Sequence, residues 1–520
     1  MKMKNKLIKT LALLLACITI AGILASCDKG NGSTTTAAAT TDAVTTSEVT
    51  TSVETTKGET DKTEVPSSAE VATEYTVVST QMKVSGNVSF CFDWKTILGA
   101  DYSKYNTTLQ MLSFLLTLDA HDNCSIYPAG TTATAETDNS AFPKALGFSG
   151  TKTVKVGANA TENTCDTAKA VISSYKTTDG GKTVYFINVS VNGTDGADEW
   201  TSNFDLGSDS SAIYSGALDA WNRNNAKGFD IAAGRVIAEI QDYTKTLEGF
   251  DGAKVIYCIN GYSRGAAVAN IIASKFKSDA FPASADSDCF AYTFATPRTT
   301  LDSSASSCNN IFNLINIDDM VTSLPPYSMG YVRYGQDIVF NLNAAGNEAL
   351  KAQFKTLSGV AYNNAFLSAV VDAINSLCDS RDEYYSIPTE AGFINSSAYD
   401  TEAAASTQRA SLVSFFTGLC PTDTDKYVYI SPVTKNEATG KYEVSYSFAP
   451  AVFGKMLPTL MTASSGGGGA MSALSAVNYL NFGNYQPLCT SMISMFIGNS
   501  TGLANMHLPY AYLVYLNSLK

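Results

Sequence analysis

The chain holds 520 residues, 45% of them hydrophobic and 16% charged. That is too apolar for a disordered protein, and long enough for one large domain or two to three ordinary ones. The 35 Lys and Arg against 48 Asp and Glu give a formal charge of −13, so nucleic-acid phosphates would repel the chain and no nucleic-acid partner is expected. Only two histidines occur, His121 and His507, and the 11 cysteines form no CxxC pair. Neither a histidine-rich metal centre nor a zinc site is expected.

Lys2, Lys4, Lys6 and Lys9 form a positive start to an apolar run from Leu11 to Leu24, the layout of an export signal. The run is shorter than a membrane span and polar sequence follows it, which ranks a transmembrane helix last. Leu24-Ala25-Ser26-Cys27 resembles the bacterial lipobox, where cleavage precedes a cysteine that is then acylated. The expectation is a signal peptide over 1–26 and an exported chain anchored through Cys27 to the extracytoplasmic face of a bacterial membrane. An ordinary signal with a chance cysteine is the alternative. Residues 27–75 are rich in Thr and Ser, with almost no large apolar side chain before Tyr75. Such a segment cannot offset its ordering entropy and reads as a disordered tether.

From 76 to 520 the pattern predicts one α/β domain. Thr183–Val191 reads as a strand, and 212–246 as helical with a break near Gly228. Lys254–Asn260 is a short, nearly continuous apolar strand, and Ala266–Phe276 a helix apolar on most faces. Asp288–Phe294 and Ile311–Ile317 are further strands. Strands of buried composition alternating with helices argue for a mostly parallel sheet covered on both faces. Cys258, inside an apolar strand, reads as a buried thiol. Between 335 and 485 the rhythm changes to helical runs (358–378, 402–418) and a hairpin of Tyr427–Ile430 with Tyr442–Phe448. This stretch reads as an insertion or cap. The run Gly466-Gly467-Gly468-Gly469 lacks the Lys-Ser/Thr of a phosphate loop and reads as a loose loop.

Gly261-Tyr262-Ser263-Arg264-Gly265 fits G-x-S-x-G, with a buried-type strand before it and a helix after it. A sharp turn there would lift the Ser263 hydroxyl above the sheet edge and aim free helix N–H groups at a developing oxyanion. A serine needs a base oriented by a third group. In this architecture the chain order is serine, acid, histidine, and His507 is the only histidine after Ser263. His121 precedes it and reads as a helix-end residue without a task. The acid should follow a later strand, and Ile311–Ile317 ends in Asp318-Asp319; either could serve.

These residues resemble the class-three lipase family, the fungal triacylglycerol-lipase-like branch of the α/β-hydrolases. Val191-Asn192-Gly193-Thr194 with Asp198-Glu199-Trp200 is similar to that family's Arg-Gly-Thr/Ser segment and its Asp-Trp. Tyr292 to Arg298 is similar to its Tyr-Thr-Phe-Gly-x-Pro-Arg. Asp319-Met320-Val321 with Leu324-Pro325-Pro326 is similar to its Asp-Pro-Val and Leu-Pro-Pro. The resemblance implies a Ser263–His507–Asp319 triad, favours Asp319 over Asp318, and implies an oxyanion hole made by the Arg264 amide and Thr194. It also implies an α/β-hydrolase-type fold; the 188 positions from Asp319 to His507 far exceed that family's spacing, so a large insertion between acid and histidine is expected. The chain departs from the family at Tyr262, Arg264, Asn192 and Ala295, which replace histidine, leucine, arginine and glycine. Arg264, placed at the mouth, would favour substrates with a carboxylate or phosphate.

The expected activity is extracytoplasmic serine hydrolysis of carboxylic esters, of lipids or other acyl compounds, without cofactor or metal. Two alternatives stand: a lipid-anchored binding or surface protein on an inactive hydrolase scaffold, and an acyl hydrolase for thioesters, amides or acylated polysaccharides.

Overall fold

In the computed structural model, residues 71–79, 84–122, 124–129, 141–157, 167–194, 199, 202–207, 221–276, 278, 281–284, 286–362, 379–387, 395–419, 424–449, 451 and 506–519 are described. Strand β1 (Val71–Ser79) pairs antiparallel with β2 (Val84–Phe92) and with β3 (Cys124–Pro128) in a small sheet. This corrects the tether boundary. Residues 71–75, read as disordered for want of apolar side chains, enter a strand, because the β2 backbone supplies the partner and Tyr75 is buried against Phe142.

The main sheet has seven strands. It runs through β4 (Ser149–Val156), β5 (Ala168–Asp179), β6 (Lys182–Val191), β7 (Lys254–Tyr262), β8 (Asp286–Phe294), β9 (Ile311–Asn316) and β10 (Gln336–Phe340), in spatial order β10-β9-β8-β7-β6-β5-β4. Strands β6 to β10 are mutually parallel, whereas β4, β5 and β6 pair antiparallel. The antiparallel turn between β5 and β6 is Gly180-Gly181, with φ of 57° and 83°. Two residues at positive φ give the tight hairpin whose twist matches its strands.

Central β7 is buried from Val255 to Tyr262, as expected of a strand flanked by neighbours and covered on both faces. Val255, Tyr257 and Ile259 face one core with the helices Lys227–Thr244 and Arg264–Ser274. Ile256, Cys258 and Tyr262 face a second core with the helices Thr107–Asp119 and Pro509–Ser518. Thr107–Asp119 lies between the main and small sheets and buries every residue from Leu109 to Asp119, the condition in which a helix is apolar around most of its surface. Cys258 is fully buried, and burial pushes its thiol up to about 12. The fold is thus of the α/β-hydrolase type: a mostly parallel sheet flanked by helices.

The helix read from 212 begins at Lys227; positions 208–220 lie outside the described residues, as do Gly466–Gly469. Within 335–485, the helix Glu348–Ser358 precedes the stretch read as helical, and 363–378 lie outside the described residues. Strands β11 (Asn395–Tyr399), β12 (Val428–Ile430), β13 (Thr434–Lys435) and β14 (Tyr442–Phe448) form a separate antiparallel sheet in which β12 and β14 pair, as the hairpin predicted. Helix Glu402–Leu419 packs on β14.

Register decides where chemistry can occur. Val191 pairs with Gly261, Tyr262 with Phe294 and Phe294 with Leu314. The carboxyl ends of β6, β7, β8 and β9 are therefore level, and the residues that follow each strand gather at one sheet edge, where open α/β sheets place ligands.

Candidate active site

Ser263 follows β7 directly, with φ 55° and ψ −124°, and the helix Arg264–Ser274 begins at the next residue. A non-glycine residue at positive φ is strained. Here the strain is held by the Ser263 N–H, which donates to the Phe294 carbonyl at 2.9 Å, and by the close seating of the helix. A Cβ at Gly261 would lie 2.4 Å from the Gly265 carbonyl oxygen, and one at Gly265 would lie 2.2 Å from that of Val191. Only hydrogens fit at these two positions, so the glycines of the motif are demanded by backbone packing. Ala295, after β8, also has φ of 55°, which accounts for glycine at the equivalent place in the resembling motif.

Ser263 Oγ lies 2.9 Å from His507 Nε2. His507 Nδ1 lies 2.9 Å from Asp319 Oδ2 and 3.1 Å from Oδ1. Asp319, five positions on from Leu314, the last residue of β9 paired with β8, is completely buried. The Val321 N–H donates to its Oδ1 at 3.0 Å, and the Tyr512 hydroxyl donates to its Oδ2 at 2.8 Å. Burial, then the neighbouring Asp319 charge, pushes the Tyr512 hydroxyl well above its ordinary range, so it stays a donor. The carboxylate that faces the imidazole is thus bonded at both oxygens, each of which also accepts from a group other than the imidazole.

Two contacts fix His507 from behind. The Tyr262 hydroxyl donates to the His507 carbonyl, and Asn316 Nδ2 donates to the Met506 carbonyl at 3.2 Å. Tyr262, a departure from the resembling motif, thereby ties the serine turn to the segment that carries the histidine. Asp318 is held elsewhere. It accepts from the Tyr362 hydroxyl at 2.5 Å and from Asn343 Nδ2 at 3.3 Å. Adjacent residues leaving a turn point different ways, and only Asp319 meets the imidazole.

Two expectations change. Arg264 was placed at the mouth as an anion receptor, but its side chain is 1% exposed. Nη1 donates to Asn203 Oδ1 at 2.9 Å, Nη2 donates to the Thr167 carbonyl at 2.8 Å, and Nε lies 3.9 Å from Glu199 Oε2. A guanidinium so committed has no face left for a substrate carboxylate; its backbone N–H, in the first helical turn, has no intrahelical acceptor. His121 was read as a helix end without a task. It does follow the helix Thr107–Asp119, yet its Nε2 accepts the Gly193 N–H at 3.0 Å. Thr194, next in the chain, accepts from Asn203 Nδ2 at 3.0 Å through its hydroxyl oxygen. Sequence gave no signal for Asn203 or Tyr512; their partners lie 9 and 193 positions away. Cys27, Asp198 and Trp200 lie outside the described residues.

Beside Ser263 opens a cleft with about 570 Å³ of empty volume, part of it continuous with solvent. Its wall is largely apolar: Phe204, Leu206, Phe229, Val321, Leu324 and Tyr384. Tyr384 comes from the 335–485 stretch, and its hydroxyl donates to the Phe204 carbonyl at 3.0 Å. Among the described residues, no group of three or more His, Cys, Asp or Glu is placed to hold a metal ion, and no helix is long and apolar enough to cross a membrane.

Residues 188–329 match the family model described as Lipase (class 3). That span contains Thr194, Ser263 and Asp319 and leaves out both histidines. Among solved structures, the crystal structure of M37 lipase is similar, at 14% identity and a TM-score of 0.28, over 53% of this chain and 80% of that one. No curated protein matches. The matched span and the observed sheet give the chain a class 3 lipase-like fold.

Proposed function

We propose that the chain is an exported serine hydrolase that cleaves carboxylic esters through an acyl-enzyme on Ser263. The observation that carries this is the unbroken line from Ser263 Oγ through the His507 ring to the Asp319 carboxylate, with 2.9 Å at each junction. In the proposed reaction Oγ attacks the ester carbonyl carbon while its proton passes to His507 Nε2. Asp319 steadies the resulting imidazolium through Nδ1. The oxyanion is received by the Arg264 N–H and by Thr194, a kind of donor typically worth about 3–4 kcal/mol each. Collapse expels the alcohol, which takes the proton from Nε2. Water then enters by the same route, gives its proton to Nε2, and releases the acid with Oγ reprotonated. The apolar cleft supports an acyl chain as the part of the substrate held beside Ser263.

Cofactor and metal have no step in this reaction. The inactive-scaffold reading would have gained from a serine and histidine far apart; hydrogen-bond contact between them weighs against it. Thioesters, amides and acylated glycans remain as other acyl donors, and a substrate panel ranks them against triglycerides and short esters. Export and anchoring at Cys27 rest on the basic start, the apolar run and Ala25-Ser26-Cys27. They predict that Cys27→Ala abolishes fatty-acid incorporation and releases the protein from membranes. For the reaction itself, Ser263→Ala is expected to abolish both p-nitrophenyl ester turnover and fluorophosphonate labelling. Undiminished labelling of that variant would remove Ser263 from the mechanism.

A further inference from the structure

We propose that His121 and Asn203 are positioning residues, which hold the Gly193–Thr194 turn from two sides in the shape that receives the oxyanion; this rests on the hydrolase reading above. The turn leaves β6 at the level of the serine. A Cβ built on Gly193 would lie 3.4 Å from the Tyr262 carbonyl oxygen and 3.7 Å from the Ser263 Cβ. Whatever fixes this turn therefore fixes the wall of the reaction site.

On the first side, His121 Nδ1 lies 2.8 Å from the Thr117 carbonyl. A carbonyl can only accept, so Nδ1 carries the proton and a neutral ring has a bare Nε2. That bare nitrogen meets the Gly193 N–H at 3.0 Å. The two contacts demand the same tautomer, and the ring is 2% exposed, where neutrality costs least. The bond commits the Gly193 N–H to His121 and sets the plane of the peptide before it. Thr194 is left to face the substrate.

On the second side, Arg264 Nη1 can only donate, so the Asn203 atom it meets at 2.9 Å is Oδ1. The other end of that amide, Nδ2, then faces the Thr194 hydroxyl oxygen at 3.0 Å. A hydroxyl that accepts here keeps its own proton for another acceptor. The substrate oxygen is that acceptor. Arg264 thus serves twice: its N–H is one proposed oxyanion donor, and its side chain, through Asn203, orients the other.

The test uses the full chain with p-nitrophenyl butyrate and a straight-chain trifluoromethyl ketone, whose adduct with a serine carries an oxyanion. In His121→Asn the shorter amide reaches Thr117 but not Gly193. In His121→Gln the amide oxygen reaches the former Nε2 position. In Asn203→Asp a carboxylate replaces the amide donor and claims the Thr194 proton, while Arg264 offers it a counter-charge that favours folding. His121→Asn and Asn203→Asp are expected to lower kcat about 10- to 100-fold, the scale for a donor displaced by a fraction of an ångström to an ångström. KM should stay within about twofold, ketone affinity should fall in step with kcat, and His121→Gln should recover most of the loss. Variants are compared after thermal melts show them folded; Asn203→Asp leaves His121 and its helix untouched should the His121 variants not fold. Full kcat in Asn203→Asp, equal losses in His121→Asn and His121→Gln, or a rise in KM without a fall in kcat overturns the proposal. A wild-type protein inert to both ester and fluorophosphonate overturns the hydrolase reading and this proposal with it. An active wild type with undiminished variants overturns this proposal alone.

Discussion

The two histidines of this chain sit on opposite sides of one serine and are set up for opposite behaviour. His507 presents Nδ1 to a carboxylate, Asp319, and Nε2 to a hydroxyl, Ser263. His121 presents Nδ1 to a carbonyl, Thr117, and Nε2 to a backbone N–H, Gly193. A carboxylate partner stabilises an imidazolium, which is the role proposed for Asp319 beside His507. The bond from Gly193 occupies the nitrogen His121 would protonate, and burial drives its pKa down to about 4. The same side chain is, in the proposed reaction, a proton carrier on one side of Ser263, and on the other a fixed acceptor of the Gly193 N–H. The partner of Nδ1, with burial, decides which.

That contrast can be broken at three points. The largest effect is expected at the carboxylate. Asp319→Asn should let Nδ1 lose its proton to Nε2, leaving the ring in the wrong tautomer for Ser263, and should lower kcat by about 10⁴-fold. Steady-state turnover of a p-nitrophenyl ester measures this, and a fall of less than tenfold would mean that His507 does not depend on its acid.

Next comes pH. Between the ordinary histidine value of 6.5 and about 4, the unfolded chain holds a proton at His121 that the folded chain refuses. The unfolded state binds more protons across this window, so stability is whole above about pH 6.5 and declines as pH falls toward 4. The loss is on the order of 3 kcal/mol. The charges facing the ring are Lys169, which opposes its protonation, and Asp122, which favours it; they pair with each other at 2.5 Å. Urea unfolding at pH 7 and pH 4.5 measures the decline, and His121→Gln should flatten it. An equal decline in that variant would trace the effect to carboxylates instead.

The smallest effect is expected at Tyr512. Tyr512→Phe removes one of the bonds on Asp319 and keeps the ring packing, so kcat should fall by about three- to tenfold, matching a hydrogen bond worth about 1 kcal/mol. An unchanged kcat would assign Tyr512 to packing alone.

The serine was legible in the sequence because its signal is local. An apolar strand, a glycine, the nucleophile, a glycine and a helix follow one another, and each follows from the geometry of a single turn. His507 and the Asp318-Asp319 pair were found through chain order and a strand that ends in acids; choosing Asp319 by residue pattern alone rested on resemblance. The buried supports were not legible. His121 reaches Gly193 across 72 positions and Tyr512 reaches Asp319 across 193, and nothing periodic marks either contact. Arg264 was misplaced for a related reason. Position in a motif gives the direction of the backbone, while the side chain went where Glu199, Thr167 and Asn203 could balance it. The first strand was missed in part because Val71–Tyr75 owes its extended form to pairing with β2, not to its own composition.

The histidine that meets the serine stands 244 positions later in the chain. Translation therefore produces Ser263 and Asp319 well before His507, while the other histidine, His121, is committed to Gly193 in the folded chain. Until those last residues are in place, Ser263 has no imidazole beside its hydroxyl. The Pro509–Ser518 helix brings Tyr512 to Asp319, and His507, two residues before it, reaches Ser263, so the proposed site is complete only once that helix has docked.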